Sequence, residues 1–362
     1  MALRLLLAAL AAALVLPAVP AATPAPAQGR FLALAEQGLA QARARWWDAG
    51  AGWYRDRLDP TFRPSAPLAY LWSAFGLFEA VDAVAIADPT PAHRRAVRAF
   101  AAGARRYWNP DVGGFAYYPG TRGHKVTYFD DNGWWAIAFL DAYRATGDRA
   151  DLADAARAFW FIATRGWAAG GGTWWDTRHG HITAEPLAAA AFVGAALYGA
   201  TGEQRYLQTV DRMVAWADRA SFDPRARLYQ RSPTSPVDMD YVEGMMIGAD
   251  LELCRYAHRP ADCAKARALA RASLAAFPPA LDWSPTAYAI YLRFLLDLFR
   301  ADGDRRLYEL AAANADRAVA HAGPGGLYTR SWGGAPIPGG LLRTEAGTLS
   351  LLAWLAATPA PG

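Results

Sequence analysis

Six stretches of this chain are apolar on nearly every side, near residues 66–83, 131–146, 185–200, 240–257, 285–300 and 344–357. Each alternates with an amphipathic stretch, near 31–47, 91–108, 149–163, 204–219, 262–277 and 305–321, with apolar residues recurring at three and four. A helix that is apolar all round must be buried by neighbours on every side. Outside a membrane, that requires an inner ring of helices shielded by an outer one. From Phe31 onward almost no stretch shows the period-two pattern of a strand. The fold class expected is therefore all-α: an (α/α)6 barrel of six inner and six outer helices, with an open solenoid as the alternative. The small number of repeats and the short termini favour closure.

The remaining segments restrict the setting. Arg4 followed by the apolar run Leu5–Leu16 and small residues to Ala27 reads as a signal peptide and leader over 1–27, leaving 28–362 as a single catalytic domain. The run is too short to span a bilayer. A secreted or periplasmic protein, a monomer with no stable membrane insertion after signal cleavage, is expected. Cys254 and Cys263 are the only cysteines and flank a turn, so in an exported chain they are expected to form a disulfide. Two cysteines without further ligands at a recognisable spacing do not make a metal site. The net charge of +4 is mild and the arginines are scattered, which gives no nucleic-acid arm. No cofactor is expected.

The loops are unequal. Inner-to-outer connections are short, as in Thr146-Gly147-Asp148, Thr201-Gly202-Glu203 and Asp302-Gly303-Asp304. Each places Gly where a helix ends in a left-handed residue. Outer-to-inner connections are long and rich in Gly and aromatics, and long loops on a rigid scaffold usually carry function. They fall on the face where the inner helices begin. Acids collect there too: Asp130 and Asp131, Glu185, Asp238, Asp240, Glu243 and Glu345. Single acids at helix starts are explained by capping and the helix dipole, worth under about 1 kcal/mol each. Their convergence with Gly-rich loops and many of the 15 tryptophans describes an acidic, aromatic-lined mouth suited to a polysaccharide or oligosaccharide.

Glycoside hydrolysis needs two carboxyl groups, about 5 Å apart for retention and farther for inversion. Asp130 and Asp131 are neighbours, with Cα atoms about 3.8 Å apart, and carboxyls on diverging side chains can reach the retaining spacing.

The segment Tyr128-Phe129-Asp130-Asp131-Asn132-Gly133-Trp134-Trp135, running on to Thr146-Gly147-Asp148, resembles the signature of glycoside hydrolase family 76, the endo-α-1,6-mannanases. Gly170-Gly171-Gly172-Thr173-Trp174-Trp175-Asp176 is similar to the family's Gly-Gly-Gly-x-Trp-Trp loop, and Leu197–Leu207 extends the likeness. The resemblance implies the same barrel and a retaining mechanism with Asp130 as nucleophile and Asp131 as general acid/base. Tyr128, Trp134, Trp135, Trp174, Trp175, Asp176, Glu185, Asp240, Tyr241 and Glu243 would then bind substrate. Two positions depart from the family pattern. Glu185, in His181-Ile182-Thr183-Ala184-Glu185, and Glu243, in Tyr241-Val242-Glu243-Gly244, stand where amides are usual. These carboxylates are expected to alter the sugar site and to raise a catalytic pKa by like-charge proximity. His179 and His181 are read as loop residues.

The resulting expectation is a secreted retaining hydrolase of α-1,6-mannosidic or related linkages. The alternatives are another barrel enzyme, such as an unsaturated uronyl hydrolase or a wall transglycosylase, and a non-catalytic glycan-binding protein. The six histidines do not cluster at inner-helix starts, which argues against an epimerase.

Overall fold

A computed structural model describes residues 26–59, 65–335 and 340–361. The expected signal peptide lies outside the described residues, apart from Pro26 and Ala27 at the end of its leader. Among the described residues there are twelve α-helices. The outer ones are α1 (Pro26–Trp46), α3 (Pro91–Ala104), α5 (Arg149–Phe161), α7 (Gln204–Ala220), α9 (Pro260–Ala276) and α11 (Arg305–Ala320). The inner ones are α2 (Leu71–Ala87), α4 (Phe129–Thr146), α6 (Ala184–Thr201), α8 (Asp240–Tyr256), α10 (Pro285–Asp302) and α12 (Leu342–Ala356). Each inner helix packs on the next, and α12 closes the ring against α2. The architecture is an (α/α)6 barrel, as the alternation requires.

Closure depends on small residues where helices meet. A Cβ on Gly347 of α12 would lie 2.6 Å from the backbone nitrogen of Thr286, and one on Gly76 of α2 would lie 2.8 Å from the backbone of Ala346. So α12 sits in backbone contact with both neighbours, α10 and α2. The short connections behave as read. Gly147, Gly202 and Gly303 are left-handed, with φ of 72°, 71° and 77°. Asp148 and Asp304 then accept from Ala150 N–H and Arg306 N–H to cap α5 and α11.

Helix ends differ from expectation where another local bond wins. Residues before Leu71 are extended, with Leu68 bridging Arg55, so α2 starts later than 66. α3 stops at Ala104 because Arg105–Tyr107 tightens into a 3₁₀ turn. α5 gives way to a π-turn over Ile162–Gly166.

Short strands occur only in the long loops among the described residues. These loops carry β1 (Trp47–Asp48) paired with β2 (Trp53–Tyr54), β3 (Trp108–Asn109) with β4 (Gly114–Phe115), and β5 (Phe222–Asp223) with β6 (Leu228–Ser232) and β7 (Ser235–Asp238). All are antiparallel. Most are two residues long, too short for period-two alternation to register in a sequence.

Cys254 near the end of α8 is disulfide-bonded to Cys263 in α9. No described helix is long and apolar enough to cross a membrane.

Candidate active site

The inner helices start at one end of the barrel, around a cleft of about 1310 Å³. Asp130 and Asp131 lie in the first turn of α4 and both line it. Backbone pairing across a long loop sets their surroundings. Phe129 N–H donates to the Trp175 carbonyl (2.8 Å), Thr177 N–H to the Thr127 carbonyl (3.0 Å), and Tyr128 bridges Asp176. This places the Trp175 indole N–H 2.9 Å from the Asp130 carboxylate, to which it donates. The Asp131 backbone N–H donates to the other Asp130 oxygen at 2.9 Å.

Burial, and after it the Glu185 charge, push the Asp130 carboxyl up to about 7, against the N–H donors that favour its anion. Asp131 is raised well above the usual carboxylate range, first by burial and then by the Asp130 charge. Its carboxyl accepts no hydrogen bond among the described residues. A half-buried carboxyl and a buried one therefore face one cleft, the first supplied with donors and the second without.

Glu185, in the first turn of α6, lines the same cleft. It accepts from the Thr183 hydroxyl and from Tyr241 OH (3.4 Å), and pairs with Arg231 at 3.2 Å. Trp134 forms part of the floor, its ring 5.0 Å from Trp72 and 6.0 Å from Tyr241. Tyr128 lies 5.2 Å from the Trp175 ring.

The sequence model of glycosyl hydrolase family 76 matches residues 58–285. The chain belongs to this family. It is accordingly a glycoside hydrolase, and its partner is a glycan. No curated protein matches the sequence. Among solved structures, a family 76 mannosidase of Bacteroides thetaiotaomicron aligns over 91% of this chain and 98% of its own, at 16% identity and a TM-score of 0.80. A family 76 α-mannanase from Bacteroides thetaiotaomicron covers 90% and 95% of the two chains at 18% identity and a TM-score of 0.79. An α-1,6-mannanase of Salegentibacter sp. HEL1_6, inactive with two consecutive aspartates changed to alanine and complexed with α-1,6-mannotetrose, covers 90% and 98% at 16% identity and a TM-score of 0.74.

Within this family 76 barrel the expected substrate-binding residues separate into two groups. Tyr128, Trp134, Trp175, Glu185 and Tyr241 line the cleft with the Asp pair. Trp135, Trp174, Asp176, Asp240 and Glu243 do not. Trp135 is fully buried, one helical step round from Trp134, against Phe78 and Tyr107. Trp174 pairs its backbone with Ile182 and stacks on His179 at 5.4 Å. Asp176 is bound to Arg178, whose hydrogen bond holds its carboxyl below the usual range. Asp240 accepts the Tyr241 N–H at 2.6 Å, and burial pushes it up to about 7. Glu243 corrects the expectation of a rewritten sugar contact: fully buried, it accepts the Tyr229 N–H of β6 at 2.6 Å. His181 packs 5.0 Å from the Trp175 ring.

The cleft also contains residues the sequence reading missed: Tyr70, Trp72, Tyr117, Arg231 and the exposed Trp283. A signal existed for Tyr70, which precedes α2 as Tyr128 precedes α4, both at the N-cap. Its ring stacks on Tyr117 at 5.9 Å. Trp283 stands two residues before the Pro that opens α10, the position of a loop tip at the mouth.

Proposed function

We propose that this enzyme is secreted and cleaves α-1,6-mannosidic or related linkages within mannose-containing glycans, with retention of configuration. The observation that carries the reading is the unequal environment of Asp130 and Asp131 in one open cleft. Asp130, with two N–H donors, is the carboxyl better held as an anion and serves as nucleophile. Asp131, without a donor and beside that charge, is the one kept protonated and serves as acid. Asp130 attacks the anomeric carbon while Asp131 gives its proton to the departing glycosidic oxygen. Asp131, now a carboxylate, takes a proton from water, and that water cleaves the glycosyl ester on Asp130. Trp134 and Trp175 give the sugar aromatic surface.

The inactivation of the Salegentibacter α-1,6-mannanase at two consecutive aspartates supports these roles, and its α-1,6-mannotetrose complex supports the linkage. The disulfide and the apolar N-terminal run support export.

The test is hydrolysis of a glycan panel that includes α-1,6-mannan, with product stereochemistry followed by NMR. Initial release of α-anomer is expected. Asp130→Asn and Asp131→Asn should each lower kcat by at least about 10³-fold without changing the circular dichroism spectrum. Full activity in both variants, or β-anomer as first product, sinks the mechanism.

A further inference from the structure

We propose that the cleft wall built by the loops before α10 and α12 binds an anionic group of the glycan, a phosphate ester or a carboxylate, through Arg330 and Arg343. The inference rests on the reading that the cleft holds a glycan, and adds what kind.

Among the described residues, four arginines line the cleft: Arg57, Arg231, Arg330 and Arg343. Two face acids. Arg231 pairs with Glu185 at 3.2 Å, and Arg57 lies 4.0 Å from Asp56. The acid of the far wall, Asp282, is engaged from outside by Arg317 at 2.7 Å. Arg330 and Arg343 are exposed to the cleft, and their side chains make no hydrogen bond or ion pair with any described residue. Asp56 is the acid that acts on Arg343, and it already faces Arg57. Among the described residues that line the far wall, the carboxylates of Asp56 and Asp282 face the guanidinium groups of Arg57, Arg330 and Arg343, with Arg317 behind Asp282.

The position of Arg343 adds to the argument. It lies in the first turn of α12, where the helix dipole disfavours a cation. Partial burial and the neighbouring Arg57 push its pKa down, both unfavourable to the charge. A neutral mannan supplies nothing to offset this. A phosphate or carboxylate does, because the guanidinium fork matches either one with two parallel hydrogen bonds. Trp283, exposed on the same wall, offers a ring face for the sugar that carries the group.

In the ring α12 is separated from α4 by α2, and neighbouring helices pack about 8–10 Å apart. The subsite therefore lies roughly 15 Å from the Asp pair by that spacing. It reads a part of the glycan away from the bond being cleaved and contributes through binding rather than chemistry.

The experiment is calorimetric binding to the full chain carrying Asp131→Asn, which holds substrate uncleaved. The probes are α-1,6-mannotetraose, the same glycan with a terminal phosphate ester, and the same with a terminal glucuronate. Expected is binding of one or both anionic glycans at least about 10-fold tighter than the neutral one, with the advantage reduced in 0.5 M NaCl. The phosphate and glucuronate arms identify which anion is preferred. In the same background Arg330→Gln and Arg343→Gln should bring the anionic-to-neutral ratio close to one, and Arg343→Lys should retain part of it. Equal affinity for all three glycans, no binding of any, or a ratio unmoved by either Gln variant overturns the subsite. Failure of the parent chain to hydrolyse any mannan sinks the proposed function instead, and the affinity ratio is read independently of it.

Discussion

Asp130 and Asp131 are consecutive, yet their carboxyls meet different surroundings. One receives the Trp175 indole N–H and a backbone N–H; the other receives neither. The acid pair itself was legible in the sequence. The difference in their surroundings was not, because Trp175 is 45 residues away and arrives through loop pairing. This difference predicts how activity depends on pH. In the proposed mechanism Asp130 must be ionised to attack, and its carboxyl sits at about 7, so kcat/KM should fall as pH drops below neutrality. Trp175→Phe removes a donor to a charged group, worth about 1.5–3 kcal/mol, or roughly one to two pH units. The acidic limb should then move to higher pH, with a loss of at least 10-fold at pH 6 and less at pH 8. Glu185→Gln removes a like charge and should move the limb the other way. The two pH–rate profiles check both directions, and an unmoved limb in Trp175→Phe removes the assignment.

At the scale of the element, the first turns of the inner helices do two jobs. Some side chains face the cleft, and others hold down the preceding loop. Asn132 of α4 accepts the Phe115 N–H at 2.7 Å, Glu243 of α8 accepts the Tyr229 N–H at 2.6 Å, and the Glu345 carboxylate accepts the Tyr328 N–H at 2.9 Å. The same device recurs on three inner helices, so part of the acidic mouth seen in the sequence is loop anchorage. Burial keeps Glu243 raised well above the usual carboxylate range. An amide could do the same work. Glu243→Gln should therefore leave both stability and product profile near those of the parent. Glu243→Ala leaves a buried N–H unpaired and should cost about 1–3 kcal/mol in urea denaturation. A changed linkage preference in Glu243→Gln would show instead that this residue contacts sugar. Periodicity gave no warning here. Trp134 and Trp135 show the same limit: both read as aromatic residues after the Asp pair, but a single 100° helical step sends one to the cleft and the other into the core.

At the scale of the molecule, the ring is joined through its centre by charge. Arg293 of α10, fully buried, bonds Glu79 of α2 at 2.7 and 2.9 Å and pairs with Asp141 of α4 at 2.6 Å. Trp354 of α12 donates to Glu79 at 3.1 Å, and Arg144 links Asp141 toward Glu252 of α8. One guanidinium thus connects helices far apart in the chain. Arg293→Met strands two buried carboxyls and should destabilise the fold by about 3–5 kcal/mol, measured by chemical denaturation. Asp82, one turn beyond Glu79, has neither carboxyl oxygen hydrogen-bonded. Burial and the charges of Asp141 and Glu79 raise its pKa well above the ordinary value. For an acid raised in the folded state, stability is fully present below the unfolded pKa, near 4, and is lost as pH rises through the folded value. Asp82→Asn removes that loss, so its gain in Tm over the parent should be small at pH 5 and larger at pH 8. A gain independent of pH would mean that Asp82 does not titrate as described.

The sequence by itself determined the barrel and the position of its acid pair. Six helices apolar on every side have no stable arrangement except behind six others, and short Gly-capped turns put their starts at one end. The Asp130-Asp131 pair follows from that, since its place in the chain is its place at the mouth. Only the tertiary structure decided which aromatic and acidic residues face the cleft, which anchor loops, and that Arg330 and Arg343 stand there without an ion pair to any described residue. Those outcomes depend on side-chain direction and on neighbours brought in from other hairpins. A pattern of apolar spacing records how often a residue is buried, and holds no information about what buries it.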